Sequence, residues 1–336
     1  MAMVRLKDVA RHAGVSITTV SHVVNRTRSV APATRERVQR AIAELGYRPD
    51  SVARTLKSNR SRTIGMIVTT AHNPFFSALI RGVEDHCFAS GYSLVLCNAD
   101  DADAKQTAYL QTLLERRIDG LIVMTSRNGD SFVEALSRQS LPTVLMDAAP
   151  TRRPDLAVVN DDSRLGARLA IEHLLERGLG DIALLTGPAS HPRSQERLAG
   201  ALATLHEAGI APPATRLVTT NLMADGGHAA MRRLLDEPCP PQAVFAFNDL
   251  VAIGALRAAH EAGLRVPEAL SIIGYDDIEV ARYTCPALTT VHQPIYELGA
   301  TAIAQLIDRL EHDRPFTPLQ SLPPRLVTRE SVIAPR

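Results

Sequence analysis

The chain has 336 residues, 45% of them hydrophobic, and its 37 Lys and Arg nearly balance its 36 Asp and Glu. This length predicts two or three folding units with substantial cores. No run approaches 18 consecutive apolar residues and the N-terminus lacks an apolar signal-peptide core, which argues against a membrane-spanning or secreted protein and for a cytoplasmic one. The four cysteines are widely spaced and form no C-x-x-C pair, so we expect them to be buried and reduced.

The N-terminal stretch predicts two short helices joined by a tight turn. Apolar residues recur at helical spacing over residues 6–13, Gly14 permits the turn, and Ser16 is a natural N-cap for a second helix over residues 17–25. Such a pair is typical of the helix-turn-helix, whose second helix enters the major groove of DNA. A third helix is predicted over residues 32–45. The residues near the start or on the outer face of the second helix, where base edges can be reached, are Ile17, Thr18, Ser21 and His22.

Charge is distributed unevenly along the chain. Residues 1–62 contain 13 Lys and Arg against 4 Asp and Glu, a net charge of +9, so residues 63–336 carry a net charge of −8. A basic small module attached to an acidic body is typical of a nucleic-acid-binding protein. The alternative for the first two helices alone is an ordinary helical hairpin with a polar face, which does not account for this asymmetry.

A short basic segment follows the three predicted helices. After a break at Pro49 and Asp50, residues 51–57 predict one or two helical turns, and residues 58–62 are polar and basic. Isolated helices shorter than about 12 residues are marginal in water. A helix that forms only against a partner predicts a hinge, and a plain linker is the alternative.

From Thr63 onward, strands and helices alternate with short connections, and a second set of elements begins near Asp161. This order predicts parallel sheets covered by helices on both faces, and two similar sets predict two lobes with a cleft between the carboxyl ends of their strands. Neither G-x-G-x-x-G nor G-x-x-x-x-G-K-[ST] occurs, which disfavours a nucleotide-dependent enzyme, and no cofactor is expected. The predicted strands are 64–68, 92–97, 118–124, 143–146, 182–186, 216–219, 243–246, 270–274 and 325–330, and the predicted helices are 75–90, 105–116, 131–140, 163–177, 194–209, 226–236, 249–262 and 296–311.

Specific motifs stand in the N-terminal part of the chain: LKDVARHAGVSITTVSHVVNRTRSVAPATRERVQRAIAELGY, then VARTLK, IGMIVT and NPFF. They resemble the LacI/GalR family of bacterial repressors, and the resemblance covers essentially the whole chain. Within the family, RRIDGLIVM, FNDLVAIGAL and IIGYDDIEVARYTCPALTTVHQP are most similar to the ribose-responsive repressors, with the purine-responsive repressors second. The resemblance implies a nucleoid-associated homodimer on a near-palindromic DNA operator. Because the sequence leaves no room after its last predicted strand for the leucine-heptad tail of tetrameric relatives, we expect a dimer.

The resemblance also implies which residues contact DNA. Leu56 would be an apolar wedge pushed between two central base pairs from a hinge helix in the minor groove, with Lys57 beside it. A Leu exposed on a basic, marginal helix is costly in water unless it is buried, and unstacked bases offer such a site. Backbone contacts would fix the register without carrying sequence information. The base-reading positions would be Ile17, Thr18, His22 and Arg28, and the backbone contacts Ser16, Thr19, Ser21, Asn25 and Tyr47.

The two-lobed core also resembles periplasmic sugar-binding proteins. Phe75 and Phe76 could stack on the C–H face of a sugar, and Arg197 offers a fixed fork for vicinal hydroxyls. Read singly, Asn248 could merely cap the next helix and Asp276 could be an ordinary loop residue. An asparagine at position 248, which purine-type relatives lack, favours a sugar. The complete set of expected ligand contacts is Asn73, Phe75, Phe76, Arg193, Arg197, Leu222, Asn248, Asp276 and Gln293.

Two positions depart from the family pattern. Leu222 stands where relatives carry an aromatic lid, and Ala148 stands where a tryptophan often follows the Asp of the fourth strand. Stacking on a ligand would therefore be one-sided. A ligand larger than ribose, or shaped differently from it, would fit such a pocket.

We therefore expect a sequence-specific repressor of a sugar-utilisation operon, regulated by a small sugar such as ribose, although the residues do not reveal whether the sugar releases or tightens DNA binding. The alternatives are a purine- or nucleoside-responsive repressor and, more distantly, a solute-binding receptor. An enzyme is not expected, because no H-E-x-x-H or G-x-S-x-G occurs and three histidines, His191, His206 and His292, are expected in loops or at the surface. The expected divisions are an all-α helix-turn-helix headpiece at 1–48, a hinge at 49–62 and an α/β core at 63–336, with an N-lobe at about 63–161 and 292–322 and a C-lobe at about 162–291 and 323–336.

Overall fold

The structure is a computed structural model. The chain forms two compact units, Met1–Ser61 and Arg62–Arg336. Predictions for the hinge helix at 51–57, with Leu56 and Lys57, and for part of the helix at 131–140 lie outside the described residues. None of the helices in the described parts of the chain is long and apolar enough to cross a membrane. The described residues are 4–25, 28–47, 60–69, 73–100, 102–124, 132, 135–136, 138–150, 153 and 155–334.

The headpiece forms the three predicted helices. The N–H of Thr19 donates to Ser16 Oγ at 3.1 Å, which is the expected N-cap of the second helix. Gly14 ends the first helix with φ +64°, a conformation that favours glycine. Val9, Val20 and Val38, one from each helix, are completely buried against one another in a small apolar core. The helices are α1 (Leu6–Ala13), α2 (Ile17–Asn25) and α3 (Pro32–Leu45).

The N-lobe is a six-stranded parallel sheet in the order β11-β5-β4-β3-β1-β2. Its central strands are buried on both faces, as parallel strands covered by helices must be. One face carries a cluster with α4 and α10, and the other carries α5. The elements are β1 (Thr63–Val68), α4 (Pro74–Ala89), β2 (Ser93–Asn98), α5 (Asp103–Glu115), β3 (Gly120–Met124), β4 (Thr143–Met146), β5 (Leu156–Asp161), α10 (Ile295–His312) and β11 (Leu319–Leu322).

The C-lobe is a second six-stranded sheet in the order β12-β10-β9-β8-β6-β7. Four helices cover it, and β12 runs antiparallel to β10, so the sheet is mixed rather than wholly parallel as predicted. The chain passes between the lobes three times, after β5, after β10 and after β11. The elements are α6 (Ser163–Leu175), β6 (Ile182–Thr186), α7 (Pro192–Glu207), β7 (Leu217–Thr219), α8 (Ala224–Leu235), β8 (Ala243–Ala246), α9 (Asp249–Glu261), β9 (Ser271–Asp276), β10 (Thr289–His292) and β12 (Arg325–Val327).

Three strands were missed by sequence reasoning, and each has a physical reason. Strand β5 contributes only four consecutive apolar residues before Asn and Asp, too short a run to stand out. The buried side chains of β10 are mainly threonines, and β11 is a partly exposed edge strand. The prediction of buried cysteines was wrong for two of the four, because Cys239 and Cys285 are exposed.

Helices α4 and α10 approach closely through two glycines. A Cβ added at Gly82 would overlap the carbonyl oxygen of Tyr296 and meet Ala300 N at 3.2 Å, and one added at Gly299 would overlap Leu79 O. These neighbours are helix backbone, which cannot move aside cheaply. The pairing of the two helices therefore requires glycine at the crossing.

We expect Gly82→Ala to lower the free energy of unfolding of the core by about 1–3 kcal/mol, despite the higher helix propensity of alanine, because it overfills this crossing. Urea denaturation followed by circular dichroism measures the change. The matched control is Gly180→Ala, whose new Cβ would meet only Ile210 Cδ1 at 3.6 Å. Equal stability of the two variants would contradict the crossing geometry.

Candidate functional site

The outer face of α2 presents short polar and apolar side chains at the start of the helix. Ile17 is 52% exposed, an uncommon state for an isoleucine, and Thr18 beside it is exposed as well. The Nδ2 of Asn25 donates to Ser21 O at 3.0 Å and to Ser21 Oγ at 3.2 Å, which ties the last turn to this face. The exposed start of α2 thus has the shape and chemistry to reach base edges in a major groove.

The remaining headpiece positions differ in exposure. Arg28 is exposed, whereas the ring of Tyr47 is only 9% exposed and belongs to the headpiece core. The hydroxyl groups of Ser16 and Thr19 form a hydrogen bond of 2.8 Å. In the structure these two side chains therefore serve to cap α2. Tyr47 and these two hydroxyl groups therefore have a structural role in the headpiece. A contact with DNA would be an additional role of the same side chains.

The core contains a cleft of about 500 Å³ lined by side chains from both lobes. The lining residues lie mainly after the carboxyl ends of strands and at the first turns of the helices that follow, where ligands bind in open α/β sheets. All nine residues expected to contact a ligand line this one cleft: Asn73, Phe75, Phe76, Arg193, Arg197, Leu222, Asn248, Asp276 and Gln293.

The N-lobe wall is built by the start of α4. Asn73 Oδ1 accepts the N–H of Phe75 at 3.0 Å, so this oxygen is used to cap the helix and the amide N–H groups are the part of Asn73 left for a ligand. Phe75 and Phe76 form an edge-to-face pair with ring centroids 5.3 Å apart, and both rings are largely buried. They offer a firm apolar edge rather than two open stacking faces.

On the C-lobe wall, one side chain joins two loops. Asn248 Oδ1 accepts the N–H of Val251 at 2.8 Å and caps α9, while its Nδ2 donates to Leu222 O at 2.9 Å. Both interpretations of Asn248, helix cap and cleft residue, therefore hold. Leu222 has a left-handed backbone with φ +62°, which is strained for a branched residue. The bond from Asn248 stabilises this conformation and keeps Leu222 at the cleft.

The floor of the cleft holds a buried arginine. Arg197 is 8% exposed and donates to Phe247 O through Nη1, while its Nη2 lies 3.8 Å from Asp276 Oδ1. The guanidinium carbon lies 3.7 Å from the centroid of the Tyr275 ring. Gln293 Nε2 donates to Asp276 Oδ1 at 2.6 Å. These contacts fix the planar donors of Arg197 beside a carboxylate, an arrangement suited to adjacent hydroxyl groups.

A second arginine joins the two lobes at the cleft wall. Arg193, on α7 of the C-lobe, donates over 3.4 Å to Asp161 O and to Ala148 O in the N-lobe. Burial raises the pKa of Asp147 to about 6 and that of Asp276 to about 7, even though Arg193 acts against the first shift and Arg197 against the second. Two carboxyl groups therefore titrate near neutrality in this cleft.

Sequence reasoning missed several lining residues that a rule about strand ends could have found. Asp100 follows β2 and Asp147 follows β4, and both have positive φ, which Asp tolerates better than most residues. His191 lies in a loop and His206 is exposed, as expected, and His191 also lines the cleft just before α7. The expectation was wrong for His292, because this residue ends β10, is only partly exposed and pairs with Asp277 at 3.0 Å. The lining residues not foreseen are Thr69, Asp100, Asp147, His191, Pro192, Ser194, Asn221 and Met223.

A helix-turn-helix headpiece joined to a two-lobed core, whose cleft gathers charged and amide side chains beside two phenylalanine rings, defines a DNA-binding regulator that responds to a small molecule. Sequence comparison agrees. Residues 5–50 match the family described as bacterial regulatory proteins, lacI family, and residues 171–332 match the periplasmic binding protein-like domain. The chain belongs to the lacI family of bacterial regulatory proteins.

Two relatives match at nearly the same level. The ribose operon repressor of Escherichia coli K12 is 45% identical over 92% of this chain and 93% of its own length. The HTH-type transcriptional repressor PurR of Edwardsiella ictaluri is 44% identical over 98% of this chain and 97% of its own length. Both relatives are transcriptional repressors.

Two solved structures extend the comparison. The lac repressor dimer bound to operator and the anti-inducer ONPF superimposes with a TM-score of 0.90 at 33% identity, covering 99% of this chain and 100% of that one. A LacI family regulator from Enterococcus faecium with bound ribose gives a TM-score of 0.71 at 36% identity, covering 80% of this chain and 98% of that one.

We expect the stability of the core to fall, relative to Asp276→Asn, as the pH rises from 5 to 7. The folded pKa of about 7 lies above the ordinary value of 3.8, so the folded state keeps a proton that the unfolded chain has released. The difference between wild type and variant should change by about 1.4 kcal/mol per pH unit and level off above pH 7. Urea denaturation at several pH values measures it.

The control for this titration is Asp236→Asn, at an exposed position just after α8. Its stability should follow that of the wild type across the same range. If the Asp276→Asn and wild-type curves run parallel from pH 5 to 8, Asp276 is not a buried group that titrates near neutrality.

Proposed function

We propose that this protein is a homodimeric, sequence-specific repressor of a sugar-utilisation operon, acting in the bacterial cytoplasm at the nucleoid, whose effector is a small neutral sugar held between the two lobes. The observation that carries the proposal is the convergence of Arg197, Asp276 and Asn248 with the phenylalanine edge at Phe75 in one cleft. Convergent hydrogen-bonding groups beside an aromatic edge are suited to a polyhydroxylated ring.

In this proposal α2 lies in the major groove and reads the operator. Ile17 and Thr18 project from the exposed start of the helix, and His22 and Arg28 extend the reading surface. The N-cap pair Ser16 and Thr19, with Ser21, Asn25 and Tyr47, would contact the phosphate backbone and set the register. Leu56 and Lys57 are proposed as minor-groove contacts on the strength of the sequence alone.

Dimer formation is supported by exposed apolar side chains on the N-lobe. Phe88, near the end of α4, is 79% exposed, and Leu96 on the edge strand β2 is 45% exposed. A highly exposed phenylalanine and an exposed leucine on an edge strand are side chains that a second subunit could cover. A two-fold dimer would present its two headpieces to a near-palindromic site.

Ribose is the first candidate for the effector. It is supported by the similarity to the ribose operon repressor and by the ribose-bound regulator of Enterococcus faecium. A purine or nucleoside is the second candidate, favoured by the nearly equal identity to PurR. The lining of the cleft favours a sugar. A planar base could not stack between two aromatic rings here, because Leu222 is not aromatic and Phe75 and Phe76 form an edge-to-face pair.

Regulation follows from differential binding. A sugar shifts the balance between two lobe arrangements only as far as it binds one more tightly than the other. A coupling free energy of about 1–3 kcal/mol corresponds to a 5- to 150-fold change in operator affinity. We propose binding and release rather than turnover, so the purified protein should leave the sugar chemically unchanged.

We expect Ile17→Ala to change the base preference at one position in each operator half-site, because in this proposal the exposed side chain of Ile17 contacts base edges rather than phosphates. Selection from a random duplex pool, followed by sequencing, measures it. Each lost base contact should reduce discrimination by about 1–3 kcal/mol. The control is Gln39→Ala on the exposed face of α3, whose selected operator should match the wild type. Identical preferences for Ile17→Ala and the wild type would remove Ile17 from the reading surface.

We expect Arg197→Gln to weaken ribose binding at least about ten-fold, since it removes a buried charged donor. Operator binding without ribose should persist. Calorimetric titration with ribose and fluorescence anisotropy with operator DNA measure the two affinities. The control is Arg168→Gln, which removes a half-exposed arginine, outside the cleft, that pairs with Glu172 and Glu207 on the C-lobe. Absence of ribose binding by the wild type would dismiss ribose, and a parallel titration with hypoxanthine and adenosine would then test the second candidate.

A further inference from the structure

The ring of Tyr275 lies directly beneath the arginine of the cleft floor. Tyr275 is completely buried on β9, and Arg197 stacks on its ring at 3.7 Å. Besides this ring, the guanidinium is held by Phe247 O and Asp276, both in the C-lobe. The ring therefore supports the guanidinium of Arg197 from below and fixes its position in the cleft, although Tyr275 is not among the residues that line the cleft.

The hydroxyl of Tyr275 reaches in the opposite direction, across the boundary between the lobes. It donates to Asp161 Oδ2 at 2.5 Å. Asp161 is the last residue of β5 in the N-lobe sheet, and the chain crosses into α6 of the C-lobe immediately after it. One side chain thus touches both the arginine of the cleft and a point where the chain passes between lobes.

The surroundings hold this hydroxyl in place. Ser163 Oγ donates to both carboxylate oxygens of Asp161 at 3.0 Å, and Asp161 is only 2% exposed. A Cβ at Gly166 would overlap the Tyr275 hydroxyl, so α6 packs against it without a side chain between. Burial, reinforced by Asp161, raises the pKa of Tyr275 well above its usual value, so the hydroxyl remains a donor at neutral pH.

The other inter-lobe bonds near Asp161 are weaker in geometry. Arg193 donates to Asp161 O and Ala148 O over 3.4 Å, close to the limit of a hydrogen bond. The bond from Tyr275 is 0.9 Å shorter and its acceptor is a buried carboxylate. Hydrogen bonds to charged acceptors are about twice as strong as neutral ones. A lobe arrangement that keeps Asp161 in its present place therefore gains the free energy of this strong bond, and an arrangement that moves Asp161 away loses it.

We propose that Tyr275 is a positioning residue that couples the effector cleft to the lobe arrangement: its ring holds Arg197 for the ligand, and its hydroxyl holds Asp161 at the first crossover between lobes. The inference rests on the proposed function for its effector and its operator. It goes beyond that function by assigning the coupling to a residue outside the cleft lining.

Two substitutions separate the two roles. Tyr275→Phe keeps the ring beneath Arg197 and removes only the hydroxyl, so ribose affinity should stay within about three-fold of the wild type. The ratio of operator Kd with and without saturating ribose should change at least about five-fold, the lower end of ordinary allosteric coupling. Tyr275→Leu removes the ring as well, and ribose affinity should fall at least about ten-fold.

The matched control is Tyr92→Phe. Tyr92 is also a buried tyrosine whose hydroxyl donates to a carboxylate, Glu311 Oε1 at 2.6 Å, but both residues belong to the N-lobe. This variant should lose stability like Tyr275→Phe and leave the ratio of operator affinities unchanged. A double-mutant cycle of Tyr275→Phe with Asp161→Asn should be non-additive in that ratio, because the two residues act through one bond.

The outcomes distinguish the coupling role from the effector proposal. If both Phe variants lower the melting temperature alike and leave operator Kd within about two-fold of the wild type, with and without ribose, Tyr275 is merely structural. If the wild type ignores ribose, the effector proposal fails, and ligand-free operator Kd decides alone. A shift of at least about five-fold in Tyr275→Phe, absent from Tyr92→Phe, then supports the coupling role, and no shift overturns it.

Discussion

The buried guanidinium of Arg197 is the constraint on which the rest of the cleft depends. A charge this far from water must be met by acceptors, and the C-lobe supplies a carbonyl, a carboxylate and an aromatic face. These partners come from β9 and the segment between β8 and α9, so parallel strands must end at the same level for the charge to be tolerated. The order of the strands in the sheet and the polar groups offered to a ligand thus both follow from the need to surround the buried charge of Arg197.

Around that charge, the cleft is made of residues with two tasks. Asn73 and Asn248 cap helices while presenting amide groups to the cavity, and Asp276 accepts from Gln293 while facing Arg197. A side chain already fixed by a structural bond loses little conformational freedom when a ligand arrives. The same bonds that fold the lobes therefore also prepare the cleft for binding.

Patterns along the chain predicted the headpiece helices and most of the core strands, because short periodic helices with caps and continuous apolar strands carry strong local signals. The ligand residues came from the family resemblance and from the rule that strand ends converge. Asp147 directly follows a strand, so the same rule could have found it, whereas nothing in the neighbours of His191 marks that residue and only the meeting of the two lobes makes it a cleft residue. The strained backbone of Leu222 was equally hidden, since φ at a leucine is set by tertiary contacts such as that from Asn248.

The segment that follows the last strand of the C-lobe has a consequence for how the protein is made. Ser331 is buried and bonds to Thr289 and Ile272, and Arg329 pairs with Asp277, the neighbour of Asp276. These residues leave the ribosome long after the headpiece, which has a core of its own. During synthesis, the chain can therefore fold its DNA-binding helices before the small-molecule cleft is complete. The nascent protein passes through a stage in which its headpiece is folded but its cleft cannot yet respond to a ligand.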